Sequence, residues 1–303
     1  MTKDTYARNG TLLALSCYVL WGIFPLYWAL MASVDSLSIL GYRFIWSLVF
    51  MVFVLLIKRD WAKTFFAEAK VFIRDKKLIF SVIVCGILIA INWGTYIVAI
   101  AANLVSEASL GYFLNPLLNF VLAMIFLKEK ATKTSIVAMI LSFIGVAVIT
   151  YDKGVVPWVS LILASSFAVY GLIKKNINLQ AYTSLTLETI IITPFAVVFL
   201  MFFSKEGMMP TGVPMSLLAI GGGIITAVPL LLFSEAAKRI SYIAISFVQF
   251  ASPTISFLLS VFFFKEPCPP GKLLGFAIIW AGLIVFSLGS LPKVKTDSTN
   301  DIT

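Results

Sequence analysis

The sequence predicts an all-α integral membrane protein whose ten transmembrane helices form two inverted five-helix repeats. Three observations carry this. First, 60% of the 303 residues are hydrophobic and 12% are charged, whereas soluble domains carry about 25% charged residues. Second, ten apolar spans, at approximately 11–31, 38–57, 78–100, 107–127, 134–150, 157–173, 184–203, 215–236, 243–264 and 272–291, are each long enough to cross a ~30 Å hydrocarbon core. Third, the chain repeats itself at an offset of 137 from about residue 92 to 150. Phe113, Pro116, Phe120, Leu122, Phe126, Lys128-Glu129 and Gly145 meet Phe250, Pro253, Phe257, Leu259, Phe263, Lys265-Glu266 and Gly282.

In chain order, residues 1–10 are a polar N-terminal segment. Residues 11–150 make the first five-helix repeat, 151–291 the second, and 292–303 a polar tail. The first span is full length and lacks an A-x-A site, so it reads as a retained helix rather than a signal peptide. Connections are short except for 58–77, where apolar and basic residues interleave. That pattern fits an amphipathic helix at the membrane surface, and an ordinary solvated loop is the alternative.

Charge sets the orientation. With the N-terminus in the cytoplasm, eighteen Lys and Arg residues fall on the inside. Lys153, Lys205, Lys265 and Lys272 fall outside, and Arg43 lies within a span; together these account for all 23. The positive-inside rule therefore puts both termini in the cytoplasm. Each half has an odd number of spans, so the second half runs through the membrane upside down relative to the first. Inverted repeats of this kind build secondary transporters, with the binding site near the bilayer midplane where the halves meet.

The net charge of +9 is spread in short clusters between apolar spans, which is membrane patterning and gives no reason to expect nucleic acid. There is no histidine, so the usual general base and the commonest metal ligand are missing. Cys17 and Cys85 lie in apolar runs and Cys268 in a loop, which is not a disulfide framework. No catalytic residue, metal site or cofactor is expected. No G-x-x-x-x-G-K-[ST] motif is present to drive transport with ATP.

Polar residues inside apolar spans carry the functional signal, because each must face protein or water. Ser109, Tyr112, Pro116 and Asn119 share one helix face at i, i+3, i+7 and i+10, and Asn115 lies beside them. The repeat supplies Ser246, Gln249, Pro253, Ser256 and Ser260 on an equivalent face, with Ser252 as the counterpart of Asn115. Asn92, Tyr96, Ala99 and Asn103 form a third stripe, with Trp93 adjacent. Together with Trp21 and Tyr170, these residues are candidates to line an apolar-aromatic substrate cavity. Helix-packing hydrogen bonds are the competing explanation. Pro116, Pro229 and Pro253 each remove a backbone donor within a span and are candidate gating kinks.

Three ionisable residues are candidate coupling or ion-pair sites. Arg43 and Glu107 sit at similar depth near the outer side, where pairing would offset part of each desolvation cost. Glu188 lies a few residues into its span and is a candidate proton site; proton coupling through Glu107 or Glu188, uniport and exchange are all open. Glu235 is expected to pair with Lys238 or Arg239.

The motifs Y-x-x-W-G at Tyr18–Gly22, R-F-I-W-S at Arg43–Ser47, N-W at Asn92-Trp93 and E-A-S-L-G-Y-F-L-N-P-L at Glu107–Leu117 resemble the RarD family of EamA-type transporters, in the drug/metabolite transporter superfamily. The similarity runs over nearly the whole chain. It implies an export or exchange permease of the bacterial inner membrane. The central cavity would be lined by the first, third and fourth helices and their second-half counterparts. The expected function is therefore transport of a small organic metabolite or amphipathic drug by alternating access. A lipid-modifying membrane enzyme or a non-transporting receptor is the alternative.

Overall fold

The computed structural model describes residues 3–101, 105–151, 158–263, 265 and 270–290, and of residues 3, 4, 100, 101, 105–109 and 290 the backbone alone. The described chain is helical: α1 (Lys3–Ala29), α2 (Ser36–Ile57), α3 (Arg59–Phe72), α4 (Lys76–Ala101), α5 (Val105–Ile125), α6 (Lys133–Thr150), α7 (Trp158–Asn176), α8 (Ala181–Phe202), α9 (Val213–Arg239), α10 (Tyr242–Val248), α11 (Ala251–Leu258) and α12 (Pro270–Ser290). α11 runs on into a π-helical turn at Leu259–Phe263, and α10, α11 and this turn together make one span.

Among the described residues, nine helical stretches are long and apolar enough to cross a membrane, and Leu110–Ile125 of α5 is a shorter apolar helix. These ten elements match the ten expected spans. The amphipathic helix expected within 58–77 forms as α3. Large apolar side chains cover the outer faces of the helices: Phe195 is 71% exposed and Phe262 70%. In water that surface would be unfavourable, whereas lipid tails accept it.

Helix ends follow local chemistry. The Asp35 carboxylate accepts from the Ser38 backbone N–H and caps α2, as the Thr132 and Ser241 hydroxyls do for α6 and α10. Lys128 and Lys265, which the offset of 137 relates, both adopt the left-handed conformation, with φ of 53° and 58°. Non-glycine residues seldom do so, so these two related positions share an unusual backbone angle. The prolines behave differently. Pro116 and Pro229 lie inside continuous helices. Pro253 falls in the first turn of α11, just past a break where the Ser252 N–H bonds to the Gln249 carbonyl at 3.2 Å.

The chain divides into two compact units. One comprises 1–130 with 153–268, the other 131–152 with 269–303. In the first, helices of the first half pack on helices of the second: α1 and α2 on α9, α4 and α5 on α7, α2 on α8, and α1 on α11. In the second, α6 packs on α12. There a Cβ on Gly145 would collide with the Gly275 carbonyl, and one on Gly275 with the Gly145 carbonyl. Small residues thus let two membrane helices come into backbone contact, where packing rather than hydrophobicity drives association.

Candidate functional site

The densest buried chemistry lies where α7 ends and α8 begins. Tyr170 and Lys174 are spaced i, i+4 on α7, and Ser184 and Glu188 are spaced i, i+4 on α8, so each pair shares a face. The connection of residues 177–180 turns the chain back and brings the two faces together. Lys174 Nζ donates to Glu188 Oε1 at 2.7 Å and to Ser184 Oγ at 2.8 Å. Ser184 Oγ donates to Glu188 Oε1 at 2.7 Å, and Tyr170 OH to Glu188 Oε2 at 3.3 Å. Lys174 is 1% exposed and Glu188 2%.

Burying two charges is expensive, and the attraction between them seldom more than offsets that cost. Ionisable groups buried in membrane spans are functional-site candidates by default. Glu188 also borders a cavity of about 10 Å³, room for a single water. Phe44, Ser47, Trp93, Thr189 and Thr226 are among its other walls.

Lys174 corrects the sequence reading. α7 continues to Asn176, past the expected end of its span at 173, so this lysine belongs to the buried helix and not to a cytoplasmic loop. Its i+4 spacing from Tyr170 was the available signal.

Arg43 lies over the Trp93 ring. Its Nε donates to Thr226 Oγ1 on α9 at 3.1 Å. Its guanidinium carbon lies 3.8 Å from the Trp93 ring centre and 5.0 Å from that of Trp28, at cation–π distances. The side chains of Glu107, its expected partner, and of Ser109 lie outside the described residues, as does Asn103. Tyr96 and Tyr112 meet edge to face at 5.6 Å.

A third cluster joins α5, α7 and α10. Asn119 donates to Gln249 Oε1 at 2.6 Å, Gln249 donates to Asn115 Oδ1, and Asn115 donates to the Ala164 carbonyl at 2.7 Å. The Tyr242 hydroxyl lies 2.9 Å from Asn119 Oδ1 and 2.8 Å from the Ala168 carbonyl. Gly171 makes this approach possible, because a Cβ there would overlap the Tyr242 hydroxyl. Asn119 and Gln249, from the two related stripes, therefore do meet. They bond to one another, while Tyr112 turns to Tyr96 and Ser256 donates to the Gly22 carbonyl at 3.2 Å.

The remaining expected residues are distributed around these clusters. Asn92 donates to the Leu163 carbonyl at 2.7 Å and to Ser166 Oγ at 3.0 Å. Trp21 and Tyr170 join one aromatic cluster through Phe167 and Phe233. Ser246 donates to the Tyr242 carbonyl of its own helix at 2.9 Å. Ser252 is half-buried, and its carbonyl lies against Gly22. Glu235 pairs with Arg239 at 2.5 Å, as expected from the sequence. Ser184, Thr226, Trp28 and Tyr242 were not anticipated, because a lone hydroxyl or indole in an apolar run has no periodic signal.

One acidic cluster lies outside the spans, between α8 and α9 and ahead of α2. Glu206 accepts from the Asp35 N–H at 3.0 Å and from Ser38 Oγ at 3.0 Å. The Asp35 amide, above all, holds the Glu206 carboxyl below its usual range. A carboxylate with a lowered folded-state pKa stabilises the fold above the ordinary carboxylate range, and that stabilisation is lost as pH falls through the lowered value. Glu206→Gln should therefore flatten the loss of thermal stability on acidification below about pH 4. An unchanged acid limb in a melting series would refute that role.

The EamA-like transporter family model matches the chain twice, over residues 8–151 and 156–288. Protein RarD of Escherichia coli (strain K12) is 40% identical over 287 residues, covering 94% of this chain and 95% of that protein. A Bacillus subtilis (strain 168) protein, named uncharacterized transporter YojE, is 38% identical over 287 residues with the same coverage of each. A solved crystal structure superposes with a TM-score of 0.70, covering 92% of this chain and 96% of that one at 16% identity, a likeness of fold alone. Full-length similarity at this level, on a chain built from membrane-length helices with buried polar groups between them, shows a multi-pass membrane protein that belongs to the EamA-like transporter family.

Proposed function

We propose that this protein is a secondary transporter that moves a small organic metabolite or amphipathic drug by alternating access. The observation that carries this reading is the buried Lys174–Glu188 pair at the edge of a cavity walled by α2 and α4 from the first half and α8 and α9 from the second. A charge in a membrane interior costs roughly 3 kcal/mol on insertion scales, and transporters built from repeats place their sites where the halves meet. The two successive family matches support the repeat. The transporter names of the relatives favour this reading over a lipid-modifying enzyme or a receptor.

Glu188 is the coupling group in this reading. Its carboxylate holds Lys174 in place, and a proton taken up there would release the lysine and loosen the end of α7 from the start of α8. Arg43, held on the cavity-wall residues Trp93 and Thr226, is a second candidate charge, and Glu107 is its proposed carboxylate partner. The charge bias places both termini in the cytoplasm, and the bacterial relatives favour an inner membrane.

Proteoliposomes loaded with a panel of amino acids and amphipathic drugs test the proposal. At least one compound should show saturable uptake that responds to an imposed pH gradient. Glu188→Gln should keep exchange at equal concentrations and lose the response to the gradient. The absence of saturable flux for every class would overturn the transport reading, and a gradient response retained in Glu188→Gln would remove Glu188 from coupling. A single cysteine at position 63 should label only from the cytoplasmic face.

A further inference from the structure

α3 connects two membrane-spanning helices, so it lies where the chain leaves the bilayer. Its residues wind onto three adjacent strips. Trp61, Phe65 and Phe72 share the first, and Trp61 stacks on Tyr182 of α8 with ring centres 4.4 Å apart. Phe66 and Ile73, at i and i+7, form the second and are 64% and 68% exposed. Arg59, Lys63, Lys70 and Arg74, at i, i+4, i+11 and i+15, form the third, which runs into the turn after the helix and is exposed throughout.

The acidic residues nearby leave that basic row largely uncompensated. The Glu68 carboxylate accepts from the Gln180 N–H at 3.1 Å, and Asp75 accepts from the Lys77 and Leu78 amides that start α4. Asp60 reaches Lys63 only at 3.8 Å, with both side chains in solvent, a pairing worth little.

An exposed phenylalanine and isoleucine beside a basic row fit a bilayer surface. The boundary of the acyl chains takes the apolar strip, and lipid phosphates take the cations. Two contacts then tie α3 to α8: the Trp61–Tyr182 stack and the Glu68 carboxylate on the residue preceding the helix. The next two turns of α8 carry Ser184 and Glu188.

We propose that α3 is an anionic-phospholipid site whose occupancy fixes the start of α8 and so the setting of the Lys174–Glu188 pair. Headgroups bound along Lys63, Lys70 and Arg74 pin α3 to the surface, and the stack and the Glu68 bond pass that restraint to α8.

The test uses the full chain with its native cysteines replaced and Phe66→Cys labelled with an environment-sensitive fluorophore. The protein is reconstituted in vesicles of phosphatidylcholine alone or of phosphatidylcholine with phosphatidylglycerol. Emission should shift to the blue in the anionic vesicles, return toward the red at high salt, and lose the lipid-dependent shift in Lys63→Gln/Lys70→Gln/Arg74→Gln. That variant leaves the strip facing α8 intact. Hydrogen exchange over residues 184–188 should slow in anionic vesicles, and Glu68→Ala, which leaves the Trp61–Tyr182 stack, should reduce the slowing while keeping the emission shift. Equal emission in both vesicles, or a shift that survives both salt and charge removal, would overturn the lipid site. An emission shift with unchanged exchange in α8 would overturn its link to α8. Neither readout needs a transported substrate, so failure of the transport reading is separable.

Discussion

Lys174→Met is expected to destabilise the protein by about 3–5 kcal/mol, the usual cost of breaking a buried ion pair from one side. Methionine fills much of the lysine's volume, so the loss comes mainly from the Glu188 carboxylate, left 2% exposed with only the Ser184 and Tyr170 hydroxyls as partners. Glu188→Leu should cost a similar amount by stranding the lysine. The double variant Lys174→Met/Glu188→Leu should recover most of the stability, since replacing a whole buried pair with apolar groups is often neutral. Transport should not recover with it. Unfolding of the detergent-solubilised protein measures the first effect, and the double-mutant cycle isolates the pair. Single variants that each cost under about 1 kcal/mol would place the pair with solvated surface bridges and end its claim to a coupling role.

Asn119→Leu should destabilise by about 1–3 kcal/mol through the amide cluster, the range for one buried polar group left without a partner. Asn119 is fully buried, and it is the donor to Gln249 Oε1 and one of two acceptors at the Tyr242 hydroxyl. Leucine is close in size, so a cavity contributes little. Tyr242 keeps the Ala168 carbonyl, so the stranded group is the Gln249 carbonyl. A melting midpoint equal to that of the unsubstituted protein would mean that water replaces the bond and that the cluster is open to solvent.

The need of buried polar side chains for protein partners was legible in the residues. Polar side chains in apolar spans had to find protein partners, and Asn92, Asn115, Asn119 and Gln249 did. Glu188 was singled out for its depth, and its depth is real. The lysine that completes it was hidden by three residues of helix length. A charge at the end of a span reads as loop until the neighbouring helix closes over it.

By itself the sequence determined the membrane class, the order of the apolar helices and the likeness to the family. The class and the helix order follow from apolar length against bilayer thickness, and the family likeness from motifs such as Glu107–Leu117. The tertiary structure alone decided the partners. It set Lys174 on Glu188, placed Arg43 within cation–π distance of two indole rings, drew Tyr112 to Tyr96, and joined α6 to α12 through their glycines. The physical reason is the solvent. In water an apolar stripe points to the core, but in lipid a leucine is equally at home facing a neighbour or the bilayer. Helical periodicity then says which residues share a face and nothing of which helix that face meets.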